Sequence, residues 1–335
     1  MKAVASPPEL TAVALPARAI EPPVTISAEA RAALAAGAAM PAMSRPALDD
    51  LEGWRAAKEA SEARWEPVVA QMLAVCRCRV ETQRISGVTT YRCTPAVPGS
   101  ASRPLYLYFH GGAFVFGAGR YAMAFGAKTA DELALTTLSV DYRTAPSDPF
   151  PAALEDGFAV YRELLAGAGE RGIVVGGSSA GANLAAAVTL LIRERGLPAP
   201  AAVVLLTPEA DLTEAGDTFR TNELLDVNLK AGLPECNALY AGGHALTDPY
   251  VSPLFADFAP GFPPTFIQSG TRDLFLSNSV LLHRKLRRAG IEAELHVWEA
   301  MPHAGFGFGA VPENDEIGQE VRQFIARHHR RREIP

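Results

Sequence analysis

The pattern of apolar and polar positions changes its period repeatedly along the chain. Short apolar runs alternate with longer segments whose apolar residues recur at helical spacing. The predicted strands are Ala74–Gln83, Gly87–Thr94, Pro104–Phe109, Thr136–Val140, Ile173–Val175, Ala201–Leu206, Pro264–Ser269 and Ala293–Trp298. The predicted helices are Ala28–Ala39, Ala47–Met72, Pro151–Leu165, a run from Ala180 to Gly196, and Ser277–Ala289. Alternation of this kind predicts an α/β fold.

Two parts of the chain depart from this alternation. Residues 1–25 are rich in Pro and Ala without a period, which predicts a flexible N-terminal arm. Residues 209–261 hold scattered apolar residues among several Gly and Pro, and an insertion of this length in a compact fold is usually a lid or cap. We therefore predict helices within 26–72 that contribute to a cap, and a main domain over 73–335 with a cap insertion at about 209–261.

Composition narrows the class of protein. With 335 residues, 48% of them hydrophobic, the chain has enough apolar material for a large core. Its net charge of −6 argues against nucleic-acid binding, which needs a clustered positive surface. No apolar stretch approaches the length of a membrane span, so we expect no membrane partner.

The cysteines bear on compartment and on metal binding. Cys76, Cys78, Cys93 and Cys236 lack the spacing of a metal site, and Cys76 and Cys78 are expected on the same face of one strand. Reduced thiols of this kind predict a cytoplasmic protein without a bound metal. Several prolines near the start of the chain also interrupt any apolar core of a signal peptide.

A Gly-x-Ser-x-Gly motif, Gly177 to Gly181, follows one predicted strand and opens the next helix. A strand that turns directly into a helix leaves no room for a Cβ on either flank of the corner residue, which explains Gly177 and Gly181. Ser179 is then pushed outward, and the first amides of the helix point at whatever its Oγ attacks. Since the chain contains 28 Gly, a chance match remains the alternative until partner residues are found.

A second glycine motif, His110-Gly111-Gly112, ends another predicted strand. Adjacent glycines let backbone N–H groups approach a ligand closely, as an oxyanion hole requires. The alternative is an ordinary flexible turn. For His110 we expect a structural role in holding the turn.

A nucleophilic serine needs a histidine and an acid that lie later in the chain. Among the seven histidines, only His303 follows a strand into a Gly-rich loop, and we expect it to titrate near its unperturbed pKa of about 6.5. Asp211 and Asp273 both follow a predicted strand, so position alone leaves the acid open.

Four segments together resemble the hormone-sensitive-lipase-like α/β-hydrolases, whose bacterial esterases form family IV. The segments are His110–Phe114, Val140–Pro146 with Phe150–Asp156, Gly177–Gly181, and Ser269–Asp273 with His303. The resemblance covers roughly residues 70–330. It implies an α/β-hydrolase fold, with a mostly parallel central sheet, helices on both faces and a helical cap. One departure is Ser178, where most members carry Asp or Thr; its hydroxyl can still bond locally.

The resemblance also implies a function, a carboxylesterase that needs no cofactor. It selects Asp273 as the acid beside Ser179 and His303, and backbone N–H groups of Gly111, Gly112 and Ala180 as the oxyanion hole. Aromatic walls of a pocket for esters of short to medium acyl chains are expected from Phe114, Phe116, Tyr121 and Phe306. A lactone hydrolase or deacetylase of the same fold is the alternative. A non-catalytic receptor is disfavoured because His303 is present.

Family members often form dimers through the edge made by the last strand and last helix. The corresponding segments are Ala293–Trp298 and Glu313–His328, and Glu294 is the only clear charge that deters edge pairing within the strand. A homodimer is therefore expected. The alternative is a monomer whose edge is shielded by its own last helix.

Overall fold

The computed structural model describes residues 12–42, 45–97, 103–168, 172–307 and 309–330. The helices within these ranges are α1 (Ala28–Ala39), α2 (Leu51–Val75), α3 (Arg120–Leu133), α4 (Ala152–Ala168), α5 (Ala180–Glu194), α6 (Thr218–Thr221), α7 (Pro234–Ala241), α8 (Leu276–Arg288) and α9 (Pro312–Arg330). The strands are β1 (Arg79–Ile85), β2 (Val88–Thr94), β3 (Leu105–Phe109), β4 (Thr137–Val140), β5 (Ile173–Ser178), β6 (Ala202–Leu206), β7 (Thr265–Gly270) and β8 (Ala293–Trp298).

The region between α2 and β1 differs from the sequence-based expectation. The Cys76 N–H bonds to the Met72 carbonyl, which extends the helix past its predicted end and makes Cys76 the C-cap. β1 begins only at Arg79, so the prediction that Cys76 and Cys78 lie on the same face of one strand is wrong. Both are free cysteines, as expected. Their Sγ atoms lie 2.9 Å apart.

The strands form one sheet in the order β1-β2-β4-β3-β5-β6-β7-β8. β1 pairs with β2, and β2 with β4, in antiparallel fashion, whereas all pairs from β4 to β8 are parallel. This arrangement confirms the mostly parallel sheet expected of an α/β-hydrolase fold. Because parallel strands end on the same edge, the loops that follow β3, β5, β7 and β8 come together at one edge of the sheet.

Side chains of the central strands alternate between two hydrophobic clusters. In β3, Leu105, Leu107 and Phe109 face the cluster built with α4, α5 and α8. Tyr106 and Tyr108 face the opposite cluster, which α3 and α9 complete. Since successive strand residues point to opposite faces, continuously apolar strands require helices on both sides.

A third cluster, called the roof cluster here, joins the N-terminal part of the chain to the 209–261 segment and to the strand-end loops. Its buried members are Trp54, Ala113, Val115, Ala145, Phe219, Leu233, Cys236, Leu274 and Phe275. Trp54 comes from α2 and is fully buried. Burial of an aromatic side chain of this size stabilises the folded state by about 3 kcal/mol. Residues that are far apart in sequence therefore pack as one layer near the loops.

Along the described ranges, no helix is both long enough and apolar enough to cross a bilayer.

Candidate active site

Ser179 lies at the tight corner between β5 and α5. Its φ is +58°, in the left-handed region that residues other than glycine rarely adopt. Its N–H donates a hydrogen bond to the Leu206 carbonyl at 2.9 Å. A Cβ added at Gly181 would lie 2.1 Å from the Phe109 carbonyl oxygen, and one at Gly177 would lie 2.3 Å from the Gly181 carbonyl oxygen. Only glycine fits at these two positions, and the strained corner fixes the direction of the serine side chain.

Ser179, His303 and Asp273 form a continuous hydrogen-bond chain. The Ser179 Oγ lies 2.9 Å from His303 Nε2, and His303 Nδ1 lies 3.1 Å from Asp273 Oδ1. The three residues follow β5, β8 and β7, respectively, and thus approach from the same edge of the sheet. With Nδ1–H donated to Asp273, Nε2 is left as an acceptor for the serine proton.

The Asp273 carboxylate is held from several sides. It is fully buried, and its Oδ2 accepts a hydrogen bond from the Ser269 hydroxyl while its Oδ1 also accepts from the Phe275 N–H. Asn222, from the 209–261 segment, donates to the Asp273 carbonyl. These contacts leave the carboxylate little freedom to rotate away from the histidine.

Asp226 is a buried acid that sequence reasoning missed. Its Oδ2 accepts hydrogen bonds from the Leu274 N–H at 2.8 Å and from the His303 N–H at 3.0 Å. Its Oδ1 accepts from the Asn228 and Leu229 N–H groups. One carboxylate thus ties the acid loop, the histidine loop and the 209–261 segment together. The only sequence signal is an isolated acid among apolar residues in a segment without a period.

The electrostatic surroundings change the basicity of His303. Burial lowers its pKa, but the hydrogen bond to Asp273 and the charges of Asp273 and Asp226 raise it, and the net shift is upward. The expectation of an unperturbed value therefore has to be corrected. Burial, and next the nearby Asp273, raise the pKa of Asp226 itself to about 6.

The three N–H groups predicted as an oxyanion hole lie around the same corner. Ala180 is the first residue of α5, where the N–H has no partner within the helix. Across the described ranges, no backbone hydrogen bond uses the N–H of Gly111 or of Gly112. A Cβ added at Gly111 would stand 3.4 Å from the Ser179 Cβ, which shows how closely this loop approaches the serine.

His110 holds in place the loop that carries Gly111 and Gly112, which is called the oxyanion loop here. Its ring stacks on Tyr142 at 4.1 Å between centroids, and the Tyr142 hydroxyl donates to the His110 carbonyl at 2.7 Å. Burial lowers the pKa of His110 to about 4, so the neutral ring can donate from Nδ1 to the Gly111 carbonyl, 2.8 Å away. These contacts fix the turn that carries Gly111 and Gly112.

The four aromatic residues predicted to line the pocket have different surroundings. Phe116 is half-buried against Trp54, and Tyr121 is half-buried between Trp65 and His110. Phe114 is fully buried and stacks on Tyr240 at 3.7 Å between centroids. Phe306 is buried among residues of α1 and of the loops after β8. Phe114 and Phe306 are thus largely taken up by core packing, and their place in the substrate pocket stays a prediction.

Asp211, the competing acid, lies in a different environment. Its Oδ1 accepts hydrogen bonds from the Thr213 N–H and hydroxyl, which makes a local turn at the start of the 209–261 segment. The structure brings Asp273, rather than Asp211, to the His303 ring.

Comparison with known proteins agrees with this geometry. A family model described as alpha/beta hydrolase fold matches residues 106–307, a range that includes Ser179, Asp273 and His303. An esterase of Acinetobacter venetianus is 33% identical over 234 residues, which cover 67% of this chain and 75% of that protein. A crystal structure of an esterase matches with a TM-score of 0.86 and 34% identity, over 95% of this chain and 99% of that one. A hormone-sensitive lipase from a metagenome library matches with a TM-score of 0.78 and 28% identity, over 91% and 99% of the two chains.

Proposed function

The chain belongs to the α/β-hydrolase fold family, in its hormone-sensitive-lipase-like branch, and is a carboxylesterase; on this premise we propose that Ser179, His303 and Asp273 catalyse its ester hydrolysis. The observation that carries the proposal is the hydrogen-bond chain from Ser179 Oγ through the His303 ring to Asp273. A serine hydroxyl is a weak nucleophile by itself, and a base within hydrogen-bond reach activates it.

The reaction proceeds in two halves. Ser179 Oγ attacks the ester carbonyl while its proton moves to His303 Nε2, and the oxyanion accepts hydrogen bonds from the N–H groups of Gly111, Gly112 and Ala180. His303 then gives the proton to the leaving alcohol, and an acyl group remains on Ser179. Water attacks this acyl-enzyme, His303 takes the water proton and returns it to Ser179 Oγ, and the carboxylic acid is released.

A covalent probe tests the assignment of the nucleophile. A fluorophosphonate forms a stable adduct with an activated serine, and we expect one adduct per chain on the peptide that contains Ser179. Ser178→Ala, which removes the neighbouring hydroxyl, should label as the wild type does. An adduct on another residue, or full activity after stoichiometric labelling elsewhere, would overturn the assignment.

We propose esters of short to medium acyl chains as substrates. Ser179 and His303 are only 8% and 7% exposed. The roof cluster reaches the triad directly, since its Phe275 ring lies 4.7 Å from the His303 ring. A series of p-nitrophenyl esters from two to sixteen carbons should show the highest kcat/KM at eight carbons or fewer. A maximum at longer chains would contradict this, and faster turnover of a lactone than of any ester in the series would favour the lactone hydrolase.

We further propose a homodimer formed through β8 and α9. β8 is an edge strand, and Val297 on it is 41% exposed. The charge of Glu294, which alone deters edge pairing, is offset by Arg327 at 2.6 Å. Light scattering should give about twice the 35.6 kDa of one chain, and Val297→Lys should reduce the mass to that of a monomer. A wild-type mass of one chain would exclude the dimer.

We also propose a cytoplasmic location. The support is that Cys76, Cys78, Cys93 and Cys236 are all free, which suits a reducing compartment. Fractionation of the source cell should recover the esterase with the cytoplasmic markers, and recovery in the culture medium would contradict the proposal.

A further inference from the structure

A group of thiols lies away from the triad, where the end of α2 meets α3. Cys76 caps α2, Cys78 follows it in the link to β1, and Asp131 lies in the last turn of α3. Neither the hydrogen bonds of the triad nor the roof cluster involves these residues. Their sequence spacing does not indicate a metal site, because the third member is more than 50 positions further along the chain.

The side chains converge on one point. The Sγ atoms of Cys76 and Cys78 lie 2.9 Å apart, and both lie within 4.8 Å of a carboxylate oxygen of Asp131. The Arg77 N–H donates to Asp131 Oδ2 at 2.7 Å, which fixes that carboxylate beside the two thiols. All three residues are half-buried, so an ion can reach the site from solvent.

A third thiol lies directly behind the first two. Cys93, on β2, is fully buried in a hydrophobic cluster against which Cys76 and Cys78 pack. The Cys93 thiol also makes a weak hydrogen bond to the Tyr91 carbonyl at 3.7 Å. Three potential ligands, two thiol sulfurs and one carboxylate oxygen, are thus grouped together, and the Cys93 thiol lies in the core behind them.

We propose that Cys76, Cys78 and Asp131 bind one zinc ion. Thiolate sulfur selects zinc over magnesium or calcium, which prefer oxygen alone. In a tetrahedral site with Zn–S bonds of about 2.3 Å, two sulfurs are separated by about 3.8 Å. The Cys76 and Cys78 side chains need to move apart by only about an ångström to reach that separation.

The role that this position gives the ion is structural. It would fasten the C-terminal end of α2 to the C-terminal end of α3. The other end of the same helix pair is joined by the Glu66–Arg120 ion pair and by the contact of Trp65 with Tyr121, whose ring in turn faces His110. A clamp at the thiols therefore stabilises a helix pair that lies against the oxyanion loop.

Cobalt binding to the reduced, metal-free full chain tests the site. Co²⁺ replaces Zn²⁺ at tetrahedral sites and reports thiolate ligands by an intense near-ultraviolet charge-transfer band. We expect one Co²⁺ per chain with this band, and one equivalent of Zn²⁺ should abolish it. Cys78→Ser should lose the band, whereas Cys236→Ser, which removes a buried thiol of the roof cluster, should keep it.

Thermal unfolding gives a second measurement. Zinc at 100 times its Kd should raise the Tm of the wild type by about 4 °C and leave that of Cys78→Ser unchanged. Asp131→Asn keeps all thiols and should weaken zinc binding by tenfold or more. The proposal is overturned if reduced protein with four titratable thiols shows no charge-transfer band, or if Cys78→Ser shows the same band as the wild type. It is equally overturned if the isolated protein holds a Cys76–Cys78 disulfide that resists reduction under native conditions.

Discussion

The side of the triad that carries Ser179 and the side that Asp226 holds, called the serine side and the Asp226 side here, are built in different ways. On the serine side, five consecutive residues make the corner, and a Cβ at Gly177 or Gly181 would lie 2.3 Å or less from a backbone carbonyl oxygen, so only glycine fits. On the Asp226 side, the carboxylate of Asp226 accepts hydrogen bonds from the N–H groups of Leu274 and His303, which lie 48 and 77 positions later in the sequence. The first arrangement depends on backbone sterics, and the second on one side chain that is distant in sequence.

This difference predicts which parts of the site tolerate substitution. The serine corner lies within the central sheet, where close packing transmits any added volume to the neighbouring strand. The Asp226 side uses hydrogen bonds that can be weakened one at a time while the sheet stays intact. Substitutions that add volume at the serine corner should therefore lower both activity and stability. Substitutions that weaken the hydrogen bonds of Asp226 should lower activity more than stability.

The largest expected effect is that of Ser179→Ala. It removes the nucleophile, and kcat for a short-chain ester should fall by about 10⁴-fold or more. The Tm should stay close to that of the wild type, because the Oγ makes its bond only within the site. Steady-state kinetics and thermal unfolding of the same preparation check both points, with Ser178→Ala as the matched control. A residual rate within tenfold of the wild type would contradict the role of Ser179.

Gly181→Ala should damage both activity and stability. The added Cβ would lie 2.1 Å from the Phe109 carbonyl and 2.5 Å from the His110 carbonyl, so β3 and the oxyanion loop must shift. We expect the free energy of unfolding to fall by about 1–3 kcal/mol and kcat to fall by about 10²-fold. Gly167→Ala is the control, since nothing lies within 4 Å of its Cβ and alanine suits the helix. Denaturant unfolding that shows equal stability for both variants would refute the steric argument.

Asp226→Asn should affect catalysis more than folding of the sheet. An amide keeps the shape of the carboxylate, but its NH₂ group opposes the backbone N–H donors on one side, and the loops of Leu274 and His303 lose their common anchor. A misplacement of about 1 Å can lower the rate by about 10²-fold, so we expect kcat to fall by about 10- to 100-fold with little change in KM. Asp211→Asn, a buried acid on the same segment, should stay within a few-fold of the wild type.

The two sides also explain which parts of the molecule the sequence predicts. Gly177, Gly181, Gly111 and the apolar strands are readable because local sterics and periodicity determine them. The role of Asp226 and the grouping of Cys76 with Asp131 depend on contacts between distant segments. No periodic pattern in the sequence predicts such contacts. The assignment of Phe114 and Phe306 to the pocket rests on residue type alone, which does not distinguish a core aromatic from an exposed one.

The smallest expected effect is a shift in the pH dependence of the reaction. His303 must be neutral to accept the Ser179 proton, so kcat/KM rises with pH as His303 loses its proton. The net upward shift of the His303 pKa predicts a midpoint above the unperturbed value of about 6.5. Because the charge of Asp226 contributes to that shift, Asp226→Asn should move the midpoint to lower pH. When each variant's kcat/KM is divided by its own plateau at high pH, a midpoint shift of less than one pKa unit changes this relative rate by less than about tenfold at any acid pH. Asp211→Asn should leave the midpoint unchanged. A midpoint that stays the same or moves upward in Asp226→Asn would contradict a contribution of the Asp226 charge to the His303 pKa.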